Sequence, residues 1–162
     1  MRFWRVARGD RGSALIELAV SLPLLIAILA ATIDFARVFY TGVALSNAAR
    51  AGAQYGAHSL GRSGGTANMQ TAAVNSVSPD LSGVTATASR TCQCATNAGV
   101  FSATTPTAND CSSPVSSSCP TGHLVVTVTV TASRMFTTVM NYLPGVPSSM
   151  TLTRSATLRV AN

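Results

Sequence analysis

Apolar residues run almost without interruption from Ser13 to Ile33, and Glu17 is the one formal charge among them. A helix over these residues rises about 31 Å at ~1.5 Å per residue, enough to cross a bilayer core. From Asp34 to Ala57 the pattern turns amphipathic. Phe35, Val38, Phe39, Gly42, Leu45, Ala49 and Gly52 recur at three-to-four spacing, and Asp34, Arg37, Thr41, Asn47, Arg50 and Gln54 take the opposite side. The two halves together predict one long helix over 13–57. Pro23 removes one backbone bond and bends that helix, which a membrane tolerates.

The pattern changes character after residue 57. Ser59–Gly65 reads as a Gly/Ser loop, and Met69, Ala73 and Val77 mark one face of a short helix that Pro79 ends. Three period-two segments follow. Val84, Ala86 and Ala88 alternate with Thr85, Thr87 and Ser89. Val126, Val128 and Val130 alternate with Thr127, Thr129 and Thr131. Met150, Leu152, Ala156, Leu158 and Val160 alternate with Thr151, Thr153, Ser155 and Thr157. Each predicts a strand with one apolar and one hydroxyl-bearing face, and Arg154 falls on the apolar face of the last. Phe136, Val139, Met140 and Leu143 predict a short amphipathic helix before the turn Leu143–Pro147. A sheet of this kind needs a cover, and the exposed half of the long helix supplies it. The expected class is α+β: a long N-terminal helix packed on a small antiparallel sheet of about three strands.

Composition refines this picture. The chain has 162 residues, only 10% of them charged, and no lysine. Of the net +6, half lies in residues 1–12, where Arg2, Arg5, Arg8 and Arg11 face only Asp10. Positive residues stay cytoplasmic, so the N-terminus is expected inside and the body exported. The remaining charge is dispersed, with no basic patch interleaved with aromatics, which argues against nucleic-acid binding. Cys92, Cys94, Cys111 and Cys119 all lie in the exported part, and an even count there argues for two disulfides. Cys92 and Cys94 are too close to bond each other without strain, so each pairs with Cys111 or Cys119, in an order left open. They would tether a polar loop, 92–119, that has no core of its own. With His123 they could also form a zinc set, but one C-x-C with wide spacing beyond it fits structural zinc poorly. His58 and His123 are far apart and Asp34, Asp80 and Asp110 are isolated. No catalytic constellation, cofactor motif or metal motif emerges.

Gly12 and Glu17 carry the sharpest chemistry. Gly12 stands at the polar-to-apolar junction, and a carboxylate inside a membrane helix is expensive and usually kept for a function. The pair points to a precursor cut between Gly12 and Ser13 by a prepilin peptidase acting at the membrane face. Cleavage frees an α-amino group on Ser13, and Glu17 of one subunit can pair with that amine on its neighbour. Glu17 lies only about 6 Å of rise from Ser13, so snorkelling to the surface is the plain alternative. A secretory signal peptide fits less well: the apolar run exceeds the usual 7–15 residues and no small-residue site closes it. An untrimmed single-span anchor carrying a binding or scaffolding domain explains everything except Gly12 and Glu17.

Arg11–Glu17, then Pro23, then Asp34-Phe35-Ala36-Arg37, then Ala48-Ala49-Arg50-Ala51-Gly52-Ala53 together resemble the TadE-like family of minor pilins, or pseudopilins, from bacterial tight-adherence (Flp-type) pilus systems. The resemblance covers residues 11–57, with Ala36 where the family often has Gly. Beyond it the match is in outline only, with a closing Leu158-Arg159-Val160. It implies a leader (1–12), a transmembrane helix (13–33), its amphipathic continuation (34–57) and an exported domain (58–162). It further implies processing at Gly12 and Ser13, and assembly through Glu17. The implied partners are the prepilin peptidase, other pilins and inner-membrane pilus assembly proteins, and the implied location is the bacterial inner membrane, single-pass, with the C-terminal domain periplasmic.

Overall fold

The structure, a computed structural model, describes residues 11–77, 81–96, 119, 122–139, 145 and 147–161, with side chains from residue 14 onward. A helix α1 (Arg11–Ala57) is followed by α2 (Leu60–Ser63), α3 (Thr66–Asn75) and three strands, β1 (Thr85–Ala95), β2 (His123–Thr137) and β3 (Ser149–Arg159). The strands form an antiparallel sheet in the order β1-β2-β3, with β2 central. This is the expected α+β arrangement, a long helix on three antiparallel strands.

α1 is continuous through Pro23. Its hydroxyl residues turn back on the helix: Thr32 donates to the Ile28 carbonyl at 2.8 Å and Thr41 to that of Arg37 at 2.8 Å. Such bonds satisfy hydroxyls where no water is available. Its C-terminal half covers the sheet through a narrow line of small residues. Leu45, Ala48, Ala49 and Ala53 are fully buried, with Gly42, Gly52 and Gly56 along the same line. Opposite them are Val126, Val128, Val130 and Ala132 of β2 and Met69 and Ala73 of α3. The C-terminus closes the helix end, where Ala161 N–H donates to the Ala57 carbonyl, one of the orphan acceptors of the last turn, at 2.9 Å.

Several local expectations change. Of the predicted apolar face, Gly42, Leu45, Ala49 and Gly52 are buried as expected, but Phe35 and Phe39 are exposed and Thr41, placed on the polar side, is buried. Small residues let α1 approach the sheet closely, which large aromatics would prevent. Ser59–Gly65 is not all loop, because Ser59 caps a helical turn by accepting the Arg62 N–H at 3.4 Å. The next helix begins at Thr66 rather than Met69, starting directly after Gly65. β1 runs on to Ala95, so Cys92 and Cys94 lie on a strand instead of in a loop, paired opposite Val126 and Leu124. The inner alternation is broken there by Arg90, whose guanidinium leaves the core toward Gly64. Phe136 belongs to β2, where it is buried on the same face as Val130 and Ala132. Arg154 does fall on the helix-facing side, as the period-two register predicts. β3 is an edge strand, and the guanidinium lies across Gly42. Residues 1–10, Pro79, Asp80, Cys111, most of the 92–119 segment and Met140–Leu143 lie outside the described residues.

The outer face of the sheet is laced by hydroxyls. Thr129 and Thr157 share a hydrogen bond of 2.9 Å and Thr85 and Ser133 one of 3.0 Å, cross-strand pairs that each contribute a few tenths of a kcal/mol to about 1 kcal/mol.

The close helix approach yields a prediction. A methyl group at Gly52 would sit 2.7 Å from the Met69 carbonyl oxygen and 3.0 Å from both Ala73 and Val130. Backbone has to move to admit it, an overpacking cost of about 1–3 kcal/mol. At Gly42 the nearest atom is the flexible Arg154 guanidinium at 3.4 Å. Ala there keeps the helix-propensity gain of about 1 kcal/mol. Thermal melts are expected to place Gly52→Ala below the parent protein and Gly42→Ala at or above it. The reverse order would mean that α1 does not sit on α3 and β2 as described.

Candidate functional site

Three groups of residues on this frame carry chemistry. The first is the start of α1. Gly12 and Ser13 lie at the start of the described part of α1 and are helical there. Glu17 is exposed one turn further on and has no ion pair or hydrogen bond among the described residues. By length and composition, the helix over Ala14–Ala57 is able to cross a membrane, and none of its most apolar window is buried in the protein. The apolar surface of Leu15 through Ile33 is thus left for lipid or for other helices, as in a single-pass, pilin-like membrane protein.

The second group ties the far end of that span to the sheet. The Asp34 carboxylate accepts the Val139 N–H at 2.9 and 3.1 Å, and Arg37 at 3.2 Å. The Arg37 guanidinium in turn stacks over the Phe136 ring, 5.0 Å from its centroid. A carboxylate gripping a backbone N–H makes a charge-assisted bond, about twice as strong as a neutral one. The Asp34 side chain itself is only 13% exposed. The sequence pattern placed Asp34 on the polar side, away from the core. The signal that finds it is the line Asp34, Val38, Thr41, Leu45, Ala48, Gly52, Gly56, a stripe at three-to-four spacing read by small size rather than by hydrophobicity.

The third group is the cysteines. Cys94 and Cys119 form a disulfide across a sequence separation of 25, with Cα atoms 5.5 Å apart. Cys92 is also disulfide-bonded and sits in the core beside Val126 and Val128. The remaining cysteine of the sequence, Cys111, lies outside the described residues. In the chain-entropy account, closing a loop of this length stabilises the fold by about 3–4 kcal/mol. Protein recovered from an oxidising compartment is expected to take up no alkylating agent until reductant is added, and then four equivalents per chain. Four reactive thiols without reductant, together with bound zinc, would replace disulfides by a metal site. Cys94→Ser is expected to lower stability by about 3 kcal/mol.

The structure does not bring the three groups together; they are strung along α1 and the far end of the sheet. A family model described as TadE-like protein matches residues 12–54. The match begins at Gly12 and takes in Glu17, the apolar span, the Asp34–Arg37 clasp and the small-residue face up to Ala53, so the expected TadE-like character is found over this segment of α1. No curated protein and no solved structure matches the chain.

Proposed function

We infer that the chain is a minor pilin of a tight-adherence (Flp-type) pilus. It is made as an inner-membrane precursor with its N-terminus cytoplasmic, and its sheet domain is periplasmic. A prepilin peptidase hydrolyses the Gly12–Ser13 bond, leaving a carboxylate on Gly12 and an α-amino group on Ser13. The trimmed helix stays in the membrane and packs with other pilins and the inner-membrane assembly proteins when the pilus is initiated, capped or anchored.

The observation that carries this reading is the undivided helix Arg11–Ala57, with Gly12 and Glu17 at its start and the matched family segment along most of its length. A signal peptide would be a separate, discarded piece; here the same helix continues into the core of the domain through Leu45, Ala49 and Ala53. Glu17 supports the assembly role, because it is a carboxylate in the membrane with no partner among the described residues. An α-amino group ordinarily titrates near ~8, so the one on Ser13 is a cation at neutral pH and a fitting partner.

The test is the first residue of the protein in its native membrane. Ser13 is expected by N-terminal sequencing and intact mass. A chain still beginning at Met1 in cells that contain the peptidase supports instead the untrimmed single-span anchor.

A further inference from the structure

A groove of about 520 Å³ opens between α1 and the end of β2. Ile33, Ala36, Arg37 and Tyr40 line it from one helix face, and Arg134 and Phe136 line it from the strand. Its depth follows from helix rise. With Ala14–Ile33 spanning about 30 Å of hydrocarbon, Ile33 stands at the hydrocarbon edge, Arg37 about 6 Å above it and Tyr40 about 10 Å above it. The headgroup layer of one leaflet is about 5–8 Å thick. The groove therefore has an apolar foot level with the acyl chains and the Arg37 guanidinium level with the phosphates, with Arg134 lining the same groove from β2.

The charges agree with this placement. Arg134 is half-buried and has no hydrogen bond or ion pair among the described residues. Arg37 is held by Asp34 and Phe136, with 46% of its side chain still exposed. Asp34 is the acid beside it, and its oxygens are already engaged by Arg37 and the Val139 N–H. Two cations against one satisfied anion favour an anionic ligand. Met135 and Val139, at the same end of the domain, are 68% and 53% exposed, apolar surface that suits contact with lipid better than with water.

We propose that this groove binds the headgroup phosphate of an anionic phospholipid, with Arg134 and Arg37 as the phosphate contacts and one acyl chain running down past Ile33. The bound lipid seats the domain on the membrane surface at the point where α1 leaves it. The proposal rests on the reading of Ala14–Ile33 as a membrane span. It does not depend on which pilus position the protein occupies.

The test uses the full chain in a neutral detergent, titrated with phosphatidylglycerol or phosphatidylcholine and read by native mass spectrometry. Phosphatidylglycerol is expected to be retained in preference. One arginine near a membrane surface corresponds to about fivefold in binding, so Arg134→Gln is expected to weaken phosphatidylglycerol retention by about that factor and leave phosphatidylcholine unchanged. Arg159→Gln, at the opposite end of the sheet, is expected to change neither. Equal retention of the two lipids, or a preference that Arg134→Gln leaves undiminished, would overturn the proposal. Displacement of the lipid by inorganic phosphate alone would reassign the groove to a soluble anion and overturn it too. A circular-dichroism spectrum matching the parent protein confirms that Arg134→Gln is folded. Flotation with pure phosphatidylcholine vesicles separates the two layers of the argument. Failure to float removes the membrane span itself, whereas flotation without headgroup preference removes only the lipid site.

Discussion

Gly12→Phe is expected to leave the chain untrimmed, so that the protein in the membrane keeps its full 16.6 kDa mass and begins at Met1. The reasoning is local. Gly12 is helical at the start of the described part of α1, and a peptidase can reach the Gly12–Ser13 carbonyl only when that turn is unwound and extended through a narrow site. Glycine helps twice. It is about 1 kcal/mol worse than alanine in a helix, which makes the turn easier to open, and it has no side chain to collide with the enzyme. Phenylalanine removes the second advantage entirely. Gly12→Ala, which adds a single methyl group, is expected to be trimmed slowly. Both variants should still insert in the membrane, because the apolar span is untouched. Normal trimming of Gly12→Phe would show that cleavage, if it occurs, happens elsewhere. Disappearance of the protein from the membrane fraction would show that the leader acts in insertion.

The comparison of α1 with the sheet shows what hydrophobic patterning can and cannot reveal. Period-two alternation located all three strands, because each has one face on the helix and one in solvent, and Val126, Val128 and Val130 are as buried as their spacing suggests. The same logic set Arg154 correctly on the inner face, where β3's position at the sheet edge gives the guanidinium room. On α1 the apolar spacing marks Gly42, Leu45, Ala49 and Gly52, which are buried, but at the membrane end it points to Phe35 and Phe39, which face outward, and not to Asp34 and Thr41, which face the domain. A helix entering a membrane has apolar surface on every side, so polarity no longer distinguishes the face that packs. Size does: Ala48, Ala49, Gly52 and Ala53 mark the contact because they allow backbone to approach backbone. Cys92 and Cys94 lie on a strand that the alternation does not reach, for a different reason. Arg90 interrupts the inner alternation of β1, yet the ladder to β2 continues past it, since register is set by the whole strand pair and not by one residue. The Asp34 clasp was invisible in the sequence because its partner is a backbone N–H, 105 residues away, that carries no side-chain signature.

Glu17→Gln is expected to be trimmed and membrane-inserted like the parent chain and to fail in assembly. Glutamine keeps the shape of the side chain and removes its charge, so the span becomes easier to insert. The Gly12–Ser13 bond lies a full turn away and is left intact. What is lost is the partner for the ammonium group that cleavage creates on Ser13 of a neighbouring subunit. Removing one member of a buried ion pair costs about 3–5 kcal/mol, because the other charge stays in an apolar bundle uncompensated. At about 1.4 kcal/mol per tenfold, that is a loss of about two to three and a half powers of ten in subunit association. The measurement is the protein's level in sheared pili against its level in the membrane, by immunoblot, for the parent, Glu17→Gln and Glu17→Asp. Aspartate keeps the charge with a shorter reach and is expected to fall between the two. Equal incorporation of all three would mean that Glu17 reaches the membrane surface and meets water, and has no part in joining subunits. Incorporation that tracks the charge while trimming stays constant would assign Glu17 to assembly and leave Gly12 alone with processing.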